Sequence, residues 1–350
     1  MTINTENKIL QPTATPLKII QKAMTAYQVM ALLFLFCSPV TLQAGPERIE
    51  KKILTQIQTE TFRLYTSDRR CTNSDKYRVV LIDNFVYRFN ITPEVSTTHG
   101  EMLVKLLKSG RTDIEAKILN TTLSRGLAKV IQDLSDGGCA DAVISSIPGS
   151  NYTVEQVKSL LPTPKKLNLD TRLSDRQALK TSLRQIAFEG FPSVEWVKQA
   201  DMNLSKLRQD AIKFVFIEAL GKFNIPVILP YGNPDTPHKG KQKTINLLSL
   251  AENAKVFTGI DAAGRRVEGF PYSPLSSGDE TAIYQILECP HPADPSKAML
   301  DINQDGFFDY TFTRNYEHPS QANRCRYRGV IKGTSVIPPH KVKELLPPKQ

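Results

Sequence analysis

The sequence predicts an α/β protein, a three-layer sandwich in which helices cover both faces of a mainly parallel sheet. From residue 77 onward, short apolar runs rich in β-branched residues alternate with stretches of helical apolar spacing. Strands that alternate with helices form parallel sheets joined by right-handed crossovers. The 350 residues allow one large domain or two small ones, and the ordinary composition excludes disordered, collagen-like and coiled-coil proteins.

The predicted elements begin with a short lead-in over residues 45–76, which has a helical apolar pattern over 49–62. The first strand is predicted over 77–82, because a continuous apolar run is typical of a strand buried on both faces. The next elements are predicted in this order: a helix over 100–107, a strand over 114–119, a helix over 123–134, a strand over 141–146, a helix over 204–220, and strands over 225–229 and 255–260.

Two segments interrupt this alternation. Residues 162–202 are charged and hold one helical stretch over 176–187, so we expect an insertion on the surface. Residues 286–330 are rich in Pro, Asp and Asn and lack periodicity, which predicts a second, loop-rich insertion. The expected organisation is a signal peptide over 1–44, the lead-in over 45–76 and one domain over 77–350.

The N-terminus has the layout of a secretory signal. Several lysines precede an apolar run over residues 29–37, and a small-residue cleavage site ends at Ala44. The run is too short to favour a stable membrane span, so we expect cleavage after Ala44 and a secreted or periplasmic protein without such a span. Cys37 also suggests a lipid-modified cysteine, but the bulky Phe36 before it disfavours that alternative.

Cysteine usage agrees with export. The chain has five cysteines, and removal of Cys37 with the signal leaves an even number. The remaining four allow three disulfide pairings in an oxidising compartment. We favour Cys289 with Cys325, since both flank one insertion; four buried thiols are the alternative, and zinc is disfavoured because no CxxC pair exists. The other two cysteines are Cys71 and Cys139.

The charge pattern indicates a basic surface without a nucleic-acid site. Lys and Arg number 45 against 35 Asp and Glu, a formal net charge of +10, and the basic residues are scattered rather than striped. No nucleic-acid-binding motif accompanies them, so no nucleic-acid partner is expected.

Four chemically distinct residues stand in short segments in a fixed order. Asp83 follows the first apolar run, His99 precedes a glycine, Asn233 follows a glycine, and Ser335 follows Gly333-Thr334. A carboxylate, an imidazole, an amide donor and a hydroxyl are the groups that acyl-transfer chemistry uses. The chain order Asp, His, Ser is that of the subtilisin lineage.

From about residue 77 to 342 the chain resembles the subtilisin-like serine peptidases, or subtilases. His99-Gly100 before a helical pattern resembles the family's His-Gly motif, and Gly333-Thr334-Ser335 with Pro339-His340 resembles its nucleophile segment. The resemblance implies a subtilisin-like fold and a triad in which Ser335 attacks, His99 accepts its proton and Asp83 orients the imidazole. It further implies that Asn233 donates to the oxyanion.

The same resemblance implies a wall of the first specificity pocket at Ser146-Ile147-Pro148. These residues follow the predicted strand over 141–146. Pro148 stands where the family usually has glycine, and it removes one backbone donor.

A separate motif predicts a structural calcium ion. Oxygen-bearing side chains recur at alternate positions before Gly306, as calcium loops require. A plain acidic turn is the alternative. The expected ligand positions are Asp301, Asn303, Asp305, Phe307 and Asp309.

Together these motifs predict a secreted or periplasmic serine endopeptidase that hydrolyses protein or peptide substrates through an acyl-enzyme. The alternative is a catalytically inactive subtilase-fold module for binding or adhesion, stabilised by calcium. A lipase or esterase is disfavoured, because the chain has no Gly-x-Ser-x-Gly elbow and the triad order differs.

Overall fold

The computed structural model describes most of the chain after residue 45. The described residues are 46–59, 68–72, 74–83, 85–86, 88–147, 149–161, 173–191, 202–230, 244–257, 282–302, 306–314, 324–333 and 346. The signal predicted over residues 1–44 lies outside them. Among the described helices, none is long and apolar enough to cross a membrane.

The strands and helices alternate along the first two thirds of the described chain. The helices are α1 Pro46–Gln58, α2 His99–Lys108, α3 Leu123–Ser135, α4 Val154–Lys158, α5 Leu173–Phe188 and α6 Leu204–Lys222, with a 3-10 helix at Leu247–Leu250. The strands are β1 Tyr77–Asp83, β2 Arg88–Thr92, β3 Val95–Thr98, β4 Ile114–Asn120, β5 Ala142–Ser145, β6 Asn151–Thr153, β7 Val227–Pro230, β8 Thr244–Asn246, β9 Ala254–Phe257, β10 Ala282–His291, β11 Asp294–Asp301, β12 Tyr310–Thr313 and β13 Arg326–Gly333.

A five-stranded parallel sheet forms the centre of the molecule, in the order β4-β1-β5-β7-β9. Strand β1 lies between β4 and β5, and its residues from Val79 to Asp83 are all buried. An apolar run without alternation is what a strand covered on both faces requires. The predicted α/β class and the predominantly parallel sheet are therefore confirmed.

Helices cover both faces of this sheet. On one face, Val80 and Ile82 of β1 belong to a core cluster that includes apolar side chains of α1, α3, α5 and α6. On the other face, Val79 and Leu81 belong to a second cluster with the buried side chains of α2. Successive side chains of a strand point to opposite faces, so the two clusters alternate along β1.

The segment predicted as a surface insertion contributes to the main core. Its helix α5 has Leu179, Leu183 and Ile186 fully or almost fully buried. Its Arg184 forms an ion pair with Glu218 of α6, at 2.9 Å. The helix itself agrees with the sequence prediction. The segment is charged overall, but this helix has an apolar stripe that packs on the core.

The second predicted insertion differs more from the expectation. Strands β10 to β13 form a four-stranded antiparallel sheet in the order β12-β11-β10-β13. Its buried face has apolar side chains, among them Ile286 and Leu300, and one buried carboxylate. Glu288 of β10 is almost fully buried and pairs with Arg314, Arg326 and Arg328. A charged residue at an inward position weakens the apolar alternation by which a hydropathy pattern predicts a strand.

Two disulfides connect distant parts of the chain. Cys289 pairs with Cys325, as predicted, and Cys71 pairs with Cys139. The first joins β10 to the residue before β13, and the second joins the segments that precede β1 and β5. Closing loops of 36 and 68 residues stabilises the folded state by about 4 kcal/mol each in a chain-entropy model.

Candidate active site

The candidate site lies at the carboxyl edge of the parallel sheet. From β1 the chain passes through α2 to β4 on one side, and then through α3 to β5 on the other side of β1. The strand order therefore reverses direction between β1 and β5. In open α/β sheets, ligands bind in the crevice at such a point, beyond the carboxyl ends of the strands.

Asp83 and His99 meet at this point. Asp83 is the last residue of β1 and is 2% exposed. His99 is the first residue of α2; its side chain is 30% exposed, and its Nδ1 lies 3.0 Å from Oδ2 of Asp83. A buried carboxylate that accepts from Nδ1 leaves Nε2 as the nitrogen for proton transfer.

Local sequence fixes where α2 begins, and so where His99 stands. The Thr98 hydroxyl accepts from the backbone N–H of Glu101 at 3.1 Å, and the Glu101 carboxylate accepts from the Thr98 N–H at 2.8 Å. This reciprocal capping box satisfies two backbone donors at the helix start. The hydrogen bond from the Thr98 backbone holds the pKa of Glu101 below its usual value.

The glycine after His99 allows an aromatic ring to pack against the first turn of α2. A Cβ at Gly100 would lie about 2.5 Å from ring atoms of Phe85, closer than real contacts allow. The Phe85 backbone N–H donates to Oδ1 of Asn120, the last residue of β4, at 3.1 Å. The chain after β1 is thereby held against α2 and β4.

Ser146 contributes a hydroxyl to the pair. Its Oγ donates a hydrogen bond to Oδ2 of Asp83 and lies 3.1 Å from Nδ1 of His99. The neighbouring Ser145 donates to the carbonyl of Ile82 at 2.7 Å and accepts from the N–H of Ile147 at 3.0 Å. The sequence predicts only a backbone role for Ser146, as part of a substrate wall. Its side-chain contact depends on the register of β1 with β5, which no local pattern reports.

The segment after Ser146 is anchored by a buried carboxylate of α6. Asp210 accepts from the backbone N–H of Ser150 and from the hydroxyl of Tyr152, both at 2.9 Å. Lys213 pairs with the other oxygen at 2.8 Å. Burial, followed by the charge of Asp210, raises the pKa of Tyr152 above its usual value. No sequence signal singles out Asp210, which falls within an ordinary helical pattern.

Three of the residues predicted for catalysis and substrate binding lie outside the described residues. They are Pro148, Asn233 and Ser335. Asn233 comes three residues after Pro230, the last residue of β7. Ser335 comes two residues after Gly333, the last residue of β13. Of the predicted wall, Ser146 and the half-buried Ile147 are described.

The predicted calcium loop is described at its two ends. Oδ2 of Asp301 accepts from the N–H of Gly306, and Oδ2 of Asp309 accepts from the N–H of Ile302, both at 2.9 Å. The loop is therefore closed with two buried carboxylates at its base, whose oxygen chemistry suits calcium. Asn303 and Asp305 lie outside the described residues, and within these no cluster of three or more metal-ligating side chains occurs. The Phe307 ring is 49% exposed.

This loop is joined to the start of α2 by hydrogen bonds. The hydroxyl of Tyr310 donates to Oγ1 of Thr97 at 2.8 Å, and Thr97 donates to the Glu101 carboxylate at 3.2 Å. Lys105 donates to the carbonyl of Asp309 at 2.6 Å. Burial raises the pKa of Tyr310 to about 12, so its hydroxyl stays protonated as a donor.

Comparison with protein-family models, curated proteins and solved structures finds no match for this chain. The fold and the site define an α/β protein with a buried carboxylate in contact with a partly exposed imidazole at the switch point of a parallel sheet.

Proposed function

We propose that the protein is a secreted or periplasmic serine endopeptidase of the subtilisin type. The observation that carries this proposal is the contact of His99 Nδ1 with the buried Asp83 carboxylate, at 3.0 Å, at the carboxyl end of β1. A solvent-accessible imidazole held by a buried carboxylate is the base that activates a hydroxyl nucleophile. The Gly-Thr-Ser segment at the end of β13 supplies that hydroxyl at Ser335.

Each group has a defined part in the proposed reaction. The Ser335 oxygen attacks the carbonyl carbon of the scissile peptide, and its proton passes to Nε2 of His99. Asp83 stabilises the imidazolium that forms, and the proton then passes to the leaving amine. Water hydrolyses the resulting acyl-enzyme by the same route. Asn233 is proposed to donate to the oxyanion, a contact that is worth about 2.7–4 kcal/mol in subtilisin itself.

Ser146 supports the pair from the neighbouring strand. Its hydroxyl donates to the Asp83 oxygen that also faces His99. A second donor fixes the orientation of the carboxylate toward the ring. Ser146 is thus a positioning residue, while the backbone of Ser146-Ile147-Pro148 is proposed to form the substrate wall.

A structural calcium ion is part of the same proposal. Asp301 and Asp309 would hold it together with Asn303, Asp305 and the Phe307 position. Its charge would offset the two buried carboxylates at the base of the loop. Because the loop is hydrogen-bonded to Thr97 and Lys105, the ion would also stabilise the base of α2.

Labelling with a fluorophosphonate tests the peptidase proposal directly, because only an activated serine reacts quickly with it. The mature protein is expected to be labelled, and Ser335→Ala and His99→Ala are expected to abolish the label. Ser296→Ala, at an exposed position of β11, serves as the matched control. Absence of labelling would favour the inactive binding module. Labelling that persists in Ser335→Ala would show that Ser335 is not the nucleophile and would contradict the assignment of the triad.

A further inference from the structure

An open groove of about 540 Å³ runs along α2 beside strand β4. It extends from the first turn of α2 at Glu101 to the last turn at Lys108. Its walls come from three elements: Val104, Lys105 and Lys108 of α2, Ile118 of β4, and Phe307 and Phe308 of the loop before β12. Its size lies within the range of ligand-binding clefts.

The groove gathers exposed apolar side chains. Ile118, Phe307 and Phe308 are 49%, 49% and 46% exposed, and all three line this one cleft. Single exposed apolar residues are ordinary, but a contiguous patch marks an interaction site. Phe307 also packs over Gly110, whose positive φ of 62° suits glycine, so the aromatic wall rests on the end of α2.

Strand β4 offers backbone hydrogen-bonding groups next to the groove. It is the first strand of the sheet order, and within the described residues it pairs with β1 alone. Ile114 and Ala116 pack in the cluster of α2, so by alternation Ile118 points to the same face and into the groove. Extended peptides bind such edges by adding a strand, with alternate side chains in a neighbouring pocket.

Two lysines and two acidic residues line the groove. Lys108 is exposed at the end of α2, and Lys105 donates to the carbonyl of Asp309 and lies 4.4 Å from the centroid of the Tyr310 ring. Both acidic side chains accept backbone hydrogen bonds, Glu101 from the Thr98 N–H and Asp309 from the N–H of Ile302. The exposed ammonium of Lys108 is therefore the charge that a partner segment meets at this end, and it favours an acidic side chain there.

We propose that this groove and the β4 edge bind an extended segment of a partner protein in which apolar residues alternate with acidic ones. The segment adds a strand beside β4. Its apolar side chains enter the cleft against Ile118 and Phe308, and an acidic side chain reaches Lys108. This binding does not depend on hydrolysis, so it can be measured apart from the proposed peptidase activity.

Fluorescence anisotropy with a labelled ten-residue peptide of alternating leucine and glutamate tests the proposal. The full chain carries Ser335→Ala, so that the probe stays intact. We expect Phe308→Ser to weaken binding about tenfold or more, since an aromatic anchor is lost. Lys108→Glu should weaken it about fivefold, with a smaller loss at high salt. Tyr327→Ser and Lys129→Glu, exposed residues outside the groove, are the matched controls.

A second probe isolates the backbone contribution. The same peptide, N-methylated at alternate residues, keeps its side chains but cannot complete a strand ladder, so its binding should be lost. Equal binding of both peptides, or equal binding by the groove variants and their controls, would overturn the proposal. It would also be overturned if Phe308→Ser abolished vesicle binding or dimerisation instead, because the occupant would then be a membrane or a second copy.

Discussion

Three side chains from three elements converge at the candidate site. Asp83 ends β1, His99 begins α2 and Ser146 follows β5. The hydroxyl of Ser146 and Nδ1 of His99 both contact Oδ2 of Asp83. The carboxylate is almost completely buried, and these two polar partners take the place of water around Oδ2.

Removing one donor should therefore impair the proposed reaction without preventing substrate binding. We expect Ser146→Ala to lower kcat about 10- to 100-fold with little change in KM, because a hydrogen bond to a charged group is worth about 1.5–3 kcal/mol. Steady-state hydrolysis of a peptide substrate measures both constants. Ser146→Thr keeps the hydroxyl and should recover most of kcat. Equal loss in the two variants would indicate a steric effect and contradict the positioning role.

At the scale of elements, the start of α2 is determined by the capping box of Thr98 and Glu101. Glu101 also connects to Tyr310 of β12 through Thr97. The antiparallel sheet and the parallel sheet therefore meet at the turn that presents His99. A change at Glu101 should alter the stability of this junction.

The contribution of Glu101 should depend on pH. Its pKa in the folded state is below the ordinary value of 4.5, so its stabilising effect is present above that pH and is lost as the pH falls through the folded-state pKa. We expect Glu101→Gln to lower the free energy of unfolding at pH 7 by about 0.5 kcal/mol, a small value because the side chain is 42% exposed.

Urea unfolding of the wild type and of Glu101→Gln at neutral and acidic pH measures this difference. The two curves should converge once the pH falls below the lowered folded-state pKa of Glu101. Glu115→Gln, on the edge strand and paired only loosely with Arg78 at 3.6 Å, is the matched control. If the difference in the free energy of unfolding persisted at acidic pH, the charge of the Glu101 carboxylate would not be its cause.

At the scale of the whole molecule, one disulfide lies next to the parallel sheet and the other lies in the antiparallel sheet. Cys71–Cys139 joins the segments that enter β1 and β5, the two strands on either side of the switch point. Cys289–Cys325 closes the antiparallel sheet that carries the calcium-loop sequence. A calcium ion bound at residues 301–309 would add a further constraint inside the segment that Cys289–Cys325 closes.

Calcium should raise the melting temperature of the intact chain. At 100 times its dissociation constant a ligand stabilises the folded state by about 2.7 kcal/mol, which predicts a rise of several degrees relative to protein in chelator. Asp305→Asn should reduce this rise, whereas Asp136→Asn, at the end of α3, should retain it. Differential scanning calorimetry makes the measurement. Identical melting with calcium and with chelator would contradict a structural ion.

The sequence by itself determined the types of most elements, and among three possible disulfide pairings it favoured Cys289 with Cys325. It also placed Asp83 at the end of a buried strand and His99 at a helix start, because apolar periodicity is a local property. It did not predict the antiparallel sheet, in which a buried Glu288 paired with arginines interrupts the apolar face that includes Ile286 and Leu300.

Only the tertiary structure decided which distant residues became neighbours. The contact of Ser146 with Asp83 follows from the register of β1 with β5, and the support of the 150–152 segment follows from a helix that begins more than 50 residues later, at Leu204. The groove between α2, β4 and the 307–309 loop likewise exists only after packing. Such proximities depend on the free energy of burying whole faces together, which no short window of sequence contains.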